Sequence, residues 1–353
     1  MAATRLGLVT TGSVGWNTVR KRWESDLADL APRIFHIEDY RQRLRAITER
    51  YGGKSIGHSL AGRAAAQAAI DAGADVILMS TLQNAPLVPI GSRVNYLIYG
   101  DCTTRQLARL YGGKSLGFPG SQITERLRAV AAAGAYFLCM SEWYRDALQA
   151  ELDVPRERLI VLPFYVDLDK WKPAEQREKK TFKVLFIGGD FERKGGDVVY
   201  ALAAMERFAD AEFHIVSANA GPGGGNVHVH RGLSADSPDL IRLVQSCDVM
   251  VLPTRADTSS HVAMEAAACA VPAIVTRCGG IPEIVLDQIT GSVLPRVDVA
   301  LFANELAKYR DASVLRTERG RNARAHVEKN FSKTRHFSIL RETIARAAAN
   351  GSS

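Results

Sequence analysis

The stretch TFKVLFIGGDFERKGGDVVYALAAMERF, Thr181 to Phe208, decides the fold. It runs from a short apolar strand, Val184 to Ile187, through a glycine-bearing loop into a helix, and the apolar segment AEFHIV follows. A strand feeding a helix and then another strand is the building unit of a parallel α/β sheet. The same grammar opens the chain, where RLGLVTTGSVGWNTVRKRWESDLADL passes from strand to glycine turn to helix. Two such openings predict two Rossmann-like domains. The first half offers the further strands ADVILMS, VNYLIYG, AYFLCMS and RLIVLP, and the second offers CDVMVLP and VPAIVT. All are short apolar runs bounded by turn signals, suited to strands covered on both faces. The polar, charged VDLDKWKPAEQREKKT between the halves reads as a linker. The expected division is 1–165, a linker at 166–180, 181–325, and a helical segment 326–353 that is interrupted near Phe331 to Lys333 and packs back on the first domain.

At 353 residues the chain exceeds the size at which one core keeps growing, in agreement with two domains. The net charge of +7 favours anionic partners: nucleotide phosphates, nucleic acid or an acidic membrane surface. No basic motif interleaved with aromatics appears, so nucleic acid is not expected. The five cysteines are scattered without metal-ligand spacing and read as reduced, buried thiols. No secretory leader and no apolar run of membrane length is found, which predicts a cytoplasmic protein. GKS occurs in YGGKSIG and YGGKSLG, but Thr48 and Ala108 stand where a phosphate-binding loop needs its first glycine. GPGGGN from Gly221 reads as a connection between strands. Composition says nothing of oligomeric state.

Ligands of an open parallel sheet bind beyond the carboxyl ends of its strands, and three loops of the second half leave such ends. GGDFERKGG carries Gly188 and Gly189 with the adjacent cations Arg193 and Lys194. PTRADTSSHVAMEAA carries Asp257 and Glu265, with Ser259 or Ser260 as the cap of the helix that follows. CGGIPEIV places Gly279 and Gly280 before a helix opened by Pro282 and Glu283. Two helix N-termini and two cations beside one crevice suit a diphosphate. The two carboxylates are acceptors and suit the paired hydroxyls of a nucleotide sugar. Plainer readings stand beside these: the glycines serve turn geometry, His261 starts a helix, and His228 and His230 alternate along a strand.

These residues resemble the retaining glycosyltransferases of family 4, which have the GT-B fold. The run PTRADTSSHVAMEAAACAVPAIVTRCGGIPEIVLDQITGSVLP matches that family's two acids separated by seven residues, then EA.A.G.P, GG..E and TG. FIGGDFERKGG and SEWYRDALQAELDVPRERLIVLPFYVD match two further segments, so the likeness covers most of Ser141 to Pro295 in order. The resemblance implies two Rossmann-like domains whose parallel sheets face a central cleft, the first on the acceptor side and the second binding a nucleotide sugar. It implies metal-independent transfer with retention, from a UDP- or GDP-linked sugar to a hydroxyl acceptor, with no cofactor required. Glu265 would hold the ribose, Asp257 the hydroxyls of the transferred sugar, and Arg193 with Lys194 the leaving diphosphate. Ser259, Ser260, His261 and Val262 would lie near the sugar, and Gly12 to Gly15 would approach the donor phosphate. Asp257 stands where the family has Glu, Ser259 and Ser260 where it has Phe-Gly, Ala270 where it has Gly, and Asp101 where many members have His. Asp101 is therefore assigned an electrostatic or acceptor-orienting role.

The segment IEDYRQRLRAITERYGGK sets Ile37, Tyr40, Leu44, Ile47 and Tyr51 on one helical stripe among Arg41, Arg43, Arg45 and Arg50. It reads as a core-facing amphipathic helix. Its alternative is peripheral contact with an anionic membrane on the inner face. Competing functions are a non-catalytic nucleotide-sugar-binding protein of the same fold and a dinucleotide-dependent oxidoreductase. For the latter, TTGSVGW lacks the full glycine spacing.

Overall fold

The computed structural model describes residues 4–12, 16–51, 54–91, 94–112, 120–175 and 181–351. Ser13 to Gly15, Gly52, Gly53 and residues 113–119, which hold the second GKS, lie outside these residues. The chain divides into two compact units, Met1–Leu162 with Phe337–Ser353, and Pro163–His336.

The first unit is built on β1 (Leu6–Thr10), β2 (Arg33–His36), β3 (Val76–Ser80), β4 (Asn95–Gly100), β5 (Tyr136–Cys139) and β6 (Leu159–Val161). They form one parallel sheet in the order β2-β1-β3-β4-β5-β6. Parallel neighbours need crossovers, which helices such as Lys54–Asp71, Gly120–Ala132 and Glu142–Leu152 supply. β1 and β3 are buried along their whole length, as strands covered on both faces must be. Ser141 caps the helix Glu142–Leu152 by accepting from the Tyr144 amide at 3.1 Å, so the serine of the SEW segment is a helix start. Ile37 is fully buried and Tyr40 and Leu44 pack against the core, while Arg41 and Arg43 are exposed. That half of the stripe in helix Ile37–Tyr51 faces the core, and the side chains of residues 45–51 lie outside the description.

The second unit carries β7 (Lys183–Ile187), β8 (Glu212–Val216), β9 (Val227–His230), β10 (Val249–Leu252), β11 (Ala273–Thr276) and β12 (Gly291–Leu294). Its parallel sheet has the order β12-β11-β10-β7-β8-β9. From β7 the chain winds outward through β8 to β9, then returns to add β10, β11 and β12 on the other side. The order reverses between β7 and β10, the place where doubly wound sheets bind ligands.

Three readings change on the structure. Residues 166–175, which composition assigns to a linker, are fastened to the second unit. Trp171 is fully buried, its indole donates to Asp236 at 3.0 Å, and its carbonyl accepts from Arg324 at 2.7 Å. The C-terminal helices are Ser313–Asn330 and Lys333–Gly351, and the passage into the first unit falls at Phe337 rather than at 326. Within that unit Arg341 grips both oxygens of Asp29 at 2.7 and 2.8 Å, and Asn350 donates to the Tyr136 hydroxyl at 3.0 Å. Finally β2 and β12, four residues each and both at a sheet edge, were not foreseen from periodicity.

Candidate active site

Beyond β7 the chain makes a tight loop into the helix Gly196–Ala203. Lys194 ends that loop, with its amide donating to the Asp190 carbonyl at 3.0 Å. Gly195 follows in the left-handed region at φ +83°, and a Cβ there would sit 2.1 Å from the Pro253 carbonyl oxygen. Only glycine lets the loop after β7 approach the loop after β10 so closely. The two loops are also bonded directly. The Arg255 amide donates to the Arg193 carbonyl at 2.8 Å, and the Arg193 guanidinium donates to the Ala256 carbonyl at 2.5 Å and to Asp190 at 2.8 Å. The Arg193 hydrogen bond holds the Asp190 carboxyl below the usual range, against its slight burial.

The loop after β10 is fixed from its far side by the loop after β11. The Asp257 amide donates to Cys278 Sγ at 3.2 Å, and that thiol donates back to the Asp257 carbonyl at 3.4 Å. Burial pushes the Cys278 thiol up, so it stays a neutral donor. Gly279, at φ +52°, lies where a Cβ would meet the Asp257 carbonyl oxygen at 2.3 Å. The Gly280 amide donates to the Thr258 carbonyl at 2.9 Å. Three loops from adjacent strands are thus joined into one surface.

On that surface Lys194 Nζ donates to Asp257 Oδ2, with side chains only 15% and 11% exposed. The ion pair sits where the sheet order reverses, one partner beyond β7 and the other beyond β10. Ser260, not Ser259, caps the helix His261–Ala268 by accepting from the Ala263 amide at 3.3 Å. Within this helix only His261, Val262 and Glu265 are half-exposed, and every other residue is buried. These three form one stripe at helical spacing, so Glu265 shares a face with the helix start. The His261 ring packs on Phe164 with centroids 4.2 Å apart.

The helix after Gly280 is shorter than its sequence suggests. It spans Ile281–Ile284, a single turn, and the Gly280 amide is already used by Thr258. A dipole needs several aligned turns, so the pair of helix N-termini expected beside a diphosphate is not formed at this end. The anion-attracting groups of the surface are Arg193 and Lys194. Gly188 serves internal packing, since a Cβ there would lie 2.7 Å from the Phe186 ring, while Gly189 has open space above it.

Two predicted residues belong to the first unit. The Gly12 amide donates to Glu38 Oε1 at 2.7 Å, and the Thr11 hydroxyl donates to the same oxygen at 2.7 Å. Burial raises the Glu38 carboxyl, but these two bonds and the charge of Arg20 outweigh it, leaving it below its usual value. Asp101, just past β4, lines a cavity of about 210 Å³ with His58 and Asn84. Glu38, His58, Asn84 and Cys278 were not singled out from sequence, because only the fold carries them to these loops.

Elsewhere in the second unit His228 and His230 alternate along β9 as read, and both stack on His214 of β8, with centroids at 5.0 and 5.3 Å. Among the described residues no group of three or more His, Cys, Asp or Glu is disposed to hold a metal ion. Among them, too, no helix is long and apolar enough to cross a membrane.

Residues 181–311 match the family described as Glycosyl transferases group 1. The second unit carries a glycosyl transferases group 1 domain. The match includes the Lys194–Asp257 pair, the helix bearing Glu265 and the thiol that holds Asp257 in place. A D-inositol 3-phosphate glycosyltransferase of Paenarthrobacter aurescens (strain TC1) is 27% identical over 228 residues, covering 58% of this chain and 55% of that protein. One from Streptomyces avermitilis is 26% identical over 239 residues, covering 60% and 51%. The chain thus spans about half the length of the curated relatives it matches. A glycosyltransferase structure from Rickettsia africae ESF-5 superposes with a TM-score of 0.74 at 14% identity over 99% of both chains. The structure of Anabaena HepE in complex with UDP gives 0.70 at 15%, covering 97% of this chain and 100% of the other. The group 1 domain therefore sits in a chain of GT-B fold, with two six-stranded parallel sheets.

Proposed function

We propose that the protein is a retaining, metal-independent glycosyltransferase that moves a sugar from a nucleotide-diphosphate sugar to a hydroxyl acceptor. The observation that carries this reading is the Lys194–Asp257 pair at the reversal point of a group 1 domain, with Arg193 strapped beside it. Departure of a nucleoside diphosphate develops negative charge, and cations fixed in advance stabilise it without reorganising. Lys194 and Arg193 are so fixed, one by a carboxylate and one by a carbonyl. Asp257, bonded to Lys194, is turned to accept from a sugar hydroxyl with its second oxygen. Glu265 accepts from the vicinal hydroxyls of the ribose, a task suited to an acid on the half-exposed stripe of its helix. The acceptor oxygen then bonds to the anomeric carbon on the face from which the diphosphate departs as the carbon–phosphate-oxygen bond breaks, its proton passing to the leaving diphosphate oxygen, which retains the configuration without an enzymic nucleophile.

The names of the relatives support transfer to a small hydroxyl compound, and the UDP bound in the Anabaena structure supports a UDP-linked donor, with GDP the other candidate. The test is a thermal-shift panel of UDP, GDP and ADP on the full chain, followed by donor hydrolysis with and without a chelator. One diphosphate should raise the melting temperature, Glu265→Ala should remove that rise, and chelation should leave turnover unchanged. Proton NMR of the product should give the donor's anomeric configuration. No stabilisation by any of the three would overturn the reading.

A further inference from the structure

The first unit holds a polar cavity of its own, about 210 Å³, lined among others by Thr11, Trp16, His58, Asn84, Asp101 and Cys102. It lies beyond the carboxyl ends of β1, β3 and β4, since Thr11, Thr81 and Asp101 each follow one of those strands. The sheet order reverses here too, with β2 on one side of β1 and β3 on the other. This is where an open α/β sheet takes a ligand. The volume equals roughly seven waters' share of liquid, the room of one polyol ring rather than of an oligosaccharide.

The lining is built for hydrogen bonds. Asn84 is 1% exposed, and its Nδ2 donates to the Ser80 carbonyl and to Thr81 Oγ1, each at 2.8 Å. Its Oδ1 is buried as well and accepts nothing from the described residues. A buried amide oxygen in that state calls for a donor, and a ligand hydroxyl is one. Thr81 sits at φ 67°, ψ 134°, a conformation that β-branched residues rarely adopt, and it is held there by Asn84 and by its own amide donating to the Tyr99 carbonyl at 2.8 Å. Strain of that kind gathers at ligand clamps. Charge narrows the choice further. None of the described lining residues is Lys or Arg, and one is the carboxylate Asp101. Burial pushes the His58 imidazole below its ordinary value, Arg41 adds to that, and Glu38 opposes it, so the ring is neutral near pH 7 and can donate and accept. Among the described lining residues a phosphate would meet an acid and no fixed cation, whereas a hydroxyl finds partners of both kinds.

We propose that this cavity binds an uncharged hydroxyl-bearing ring, a sugar or a cyclitol, as the acceptor's recognition group, and discriminates against phosphorylated rings, with Asn84, His58 and Asp101 setting the specificity. Calling the ligand the acceptor rests on the transfer reading above; the binding and its preference for neutral rings do not. Saturation-transfer NMR on the full chain tests it, with methyl α-glucoside, myo-inositol and D-inositol 3-phosphate as probes. At least one neutral ring should give signal and the phosphate should not. Asn84→Ala should weaken the neutral ring about tenfold, the worth of one hydrogen bond to a buried acceptor. Gln83 lines the cavity and is exposed, so substitutions there spare the fold even if Asn84→Ala does not. Gln83→Trp should cut neutral-ring binding by crowding the mouth, and Gln83→Arg should let the phosphorylated ring bind. Silence from both neutral rings, equal binding of the phosphate by the unaltered chain, or neutral-ring binding untouched by Gln83→Trp would each overturn the inference. A chain that responds to UDP but to no ring loses this inference and keeps the transfer reading. One that binds a ring but no nucleotide does the reverse.

Discussion

Breaking the Lys194–Asp257 pair from one side should destabilise the second unit, and removing both partners should cost less than the two single losses added together. Taking away one member of a fully buried pair costs about 3–5 kcal/mol, because the other charge is left without compensation. Here the two side chains retain 15% and 11% exposure, which places the cost at the lower end, about 3 kcal/mol. At about 2–4 °C per kcal/mol for a unit of this size, Lys194→Met or Asp257→Ala should lower the melting temperature by roughly 6–12 °C. In the double variant neither charge is stranded, and its loss should fall short of the sum of the singles by about 2 kcal/mol. Urea unfolding followed by circular dichroism gives all four corners of the cycle. Additive losses would refute the pairing argument. The same variants separate the chemical roles: Lys194→Met should abolish the thermal shift by UDP, whereas Asp257→Ala, which frees the ammonium, should retain it and lose the preference among sugars.

Gly195→Ala forces a Cβ against the Pro253 carbonyl at a positive φ, so it should cost at least about 2 kcal/mol in unfolding free energy and weaken nucleotide binding together. Replacing buried Arg319, which donates to Ser292 at 2.8 Å and to the Tyr309 hydroxyl at 2.7 Å beside Glu305, by Ala should cost about 3 kcal/mol while a folded remainder binds nucleotide normally. Stability should fall between pH 6.5 and 4: burial holds His214 down to about 4, Glu212 works against that, and His228, His230 and Lys183 work with it. The unfolded chain takes up this proton first as pH drops, so the contribution is complete above the unfolded value and vanishes through the folded one, on the order of 2 kcal/mol once partial exposure is allowed for. His214→Gln should flatten that limb of the pH–stability curve. A Glu38→Gln variant, which replaces the charged acceptor of Thr11 and Gly12, should lower stability by about 1 kcal/mol at pH 7, and circular dichroism melts would show it.

The sheets and most of their strands are legible because parallel strands buried on both faces leave uninterrupted apolar runs between glycine turns. The exceptions have physical causes. β2 is half exposed and carries Arg33 and His36 among its four residues, and β12 opens on Gly291 and Ser292, so neither leaves an apolar run to read. Val166 and Trp171 are both buried in an otherwise largely polar stretch, and these two anchors outweigh the composition around them. Lys194, Asp257 and Glu265 are legible as members of a motif, but the bond between the first two joins residues 63 apart and exists only after β7 and β10 become neighbours. The one-turn helix at Ile281–Ile284 carries the start signals of a longer one, Pro then Glu, and no local rule says where it stops. The cavity beside Asn84 is invisible in one dimension, since its walls come from the ends of three strands and the helix containing His58.

Residues 337–351 complete the first unit although they are made after the whole of the second. Leu340 and Ala347 are fully buried there and Ile344 nearly so. During synthesis at the ribosome the second unit can therefore close before the first is finished, while the groove awaiting Leu340, Ile344 and Ala347 stays open to water and to chaperones. Order of maturation runs against order of translation.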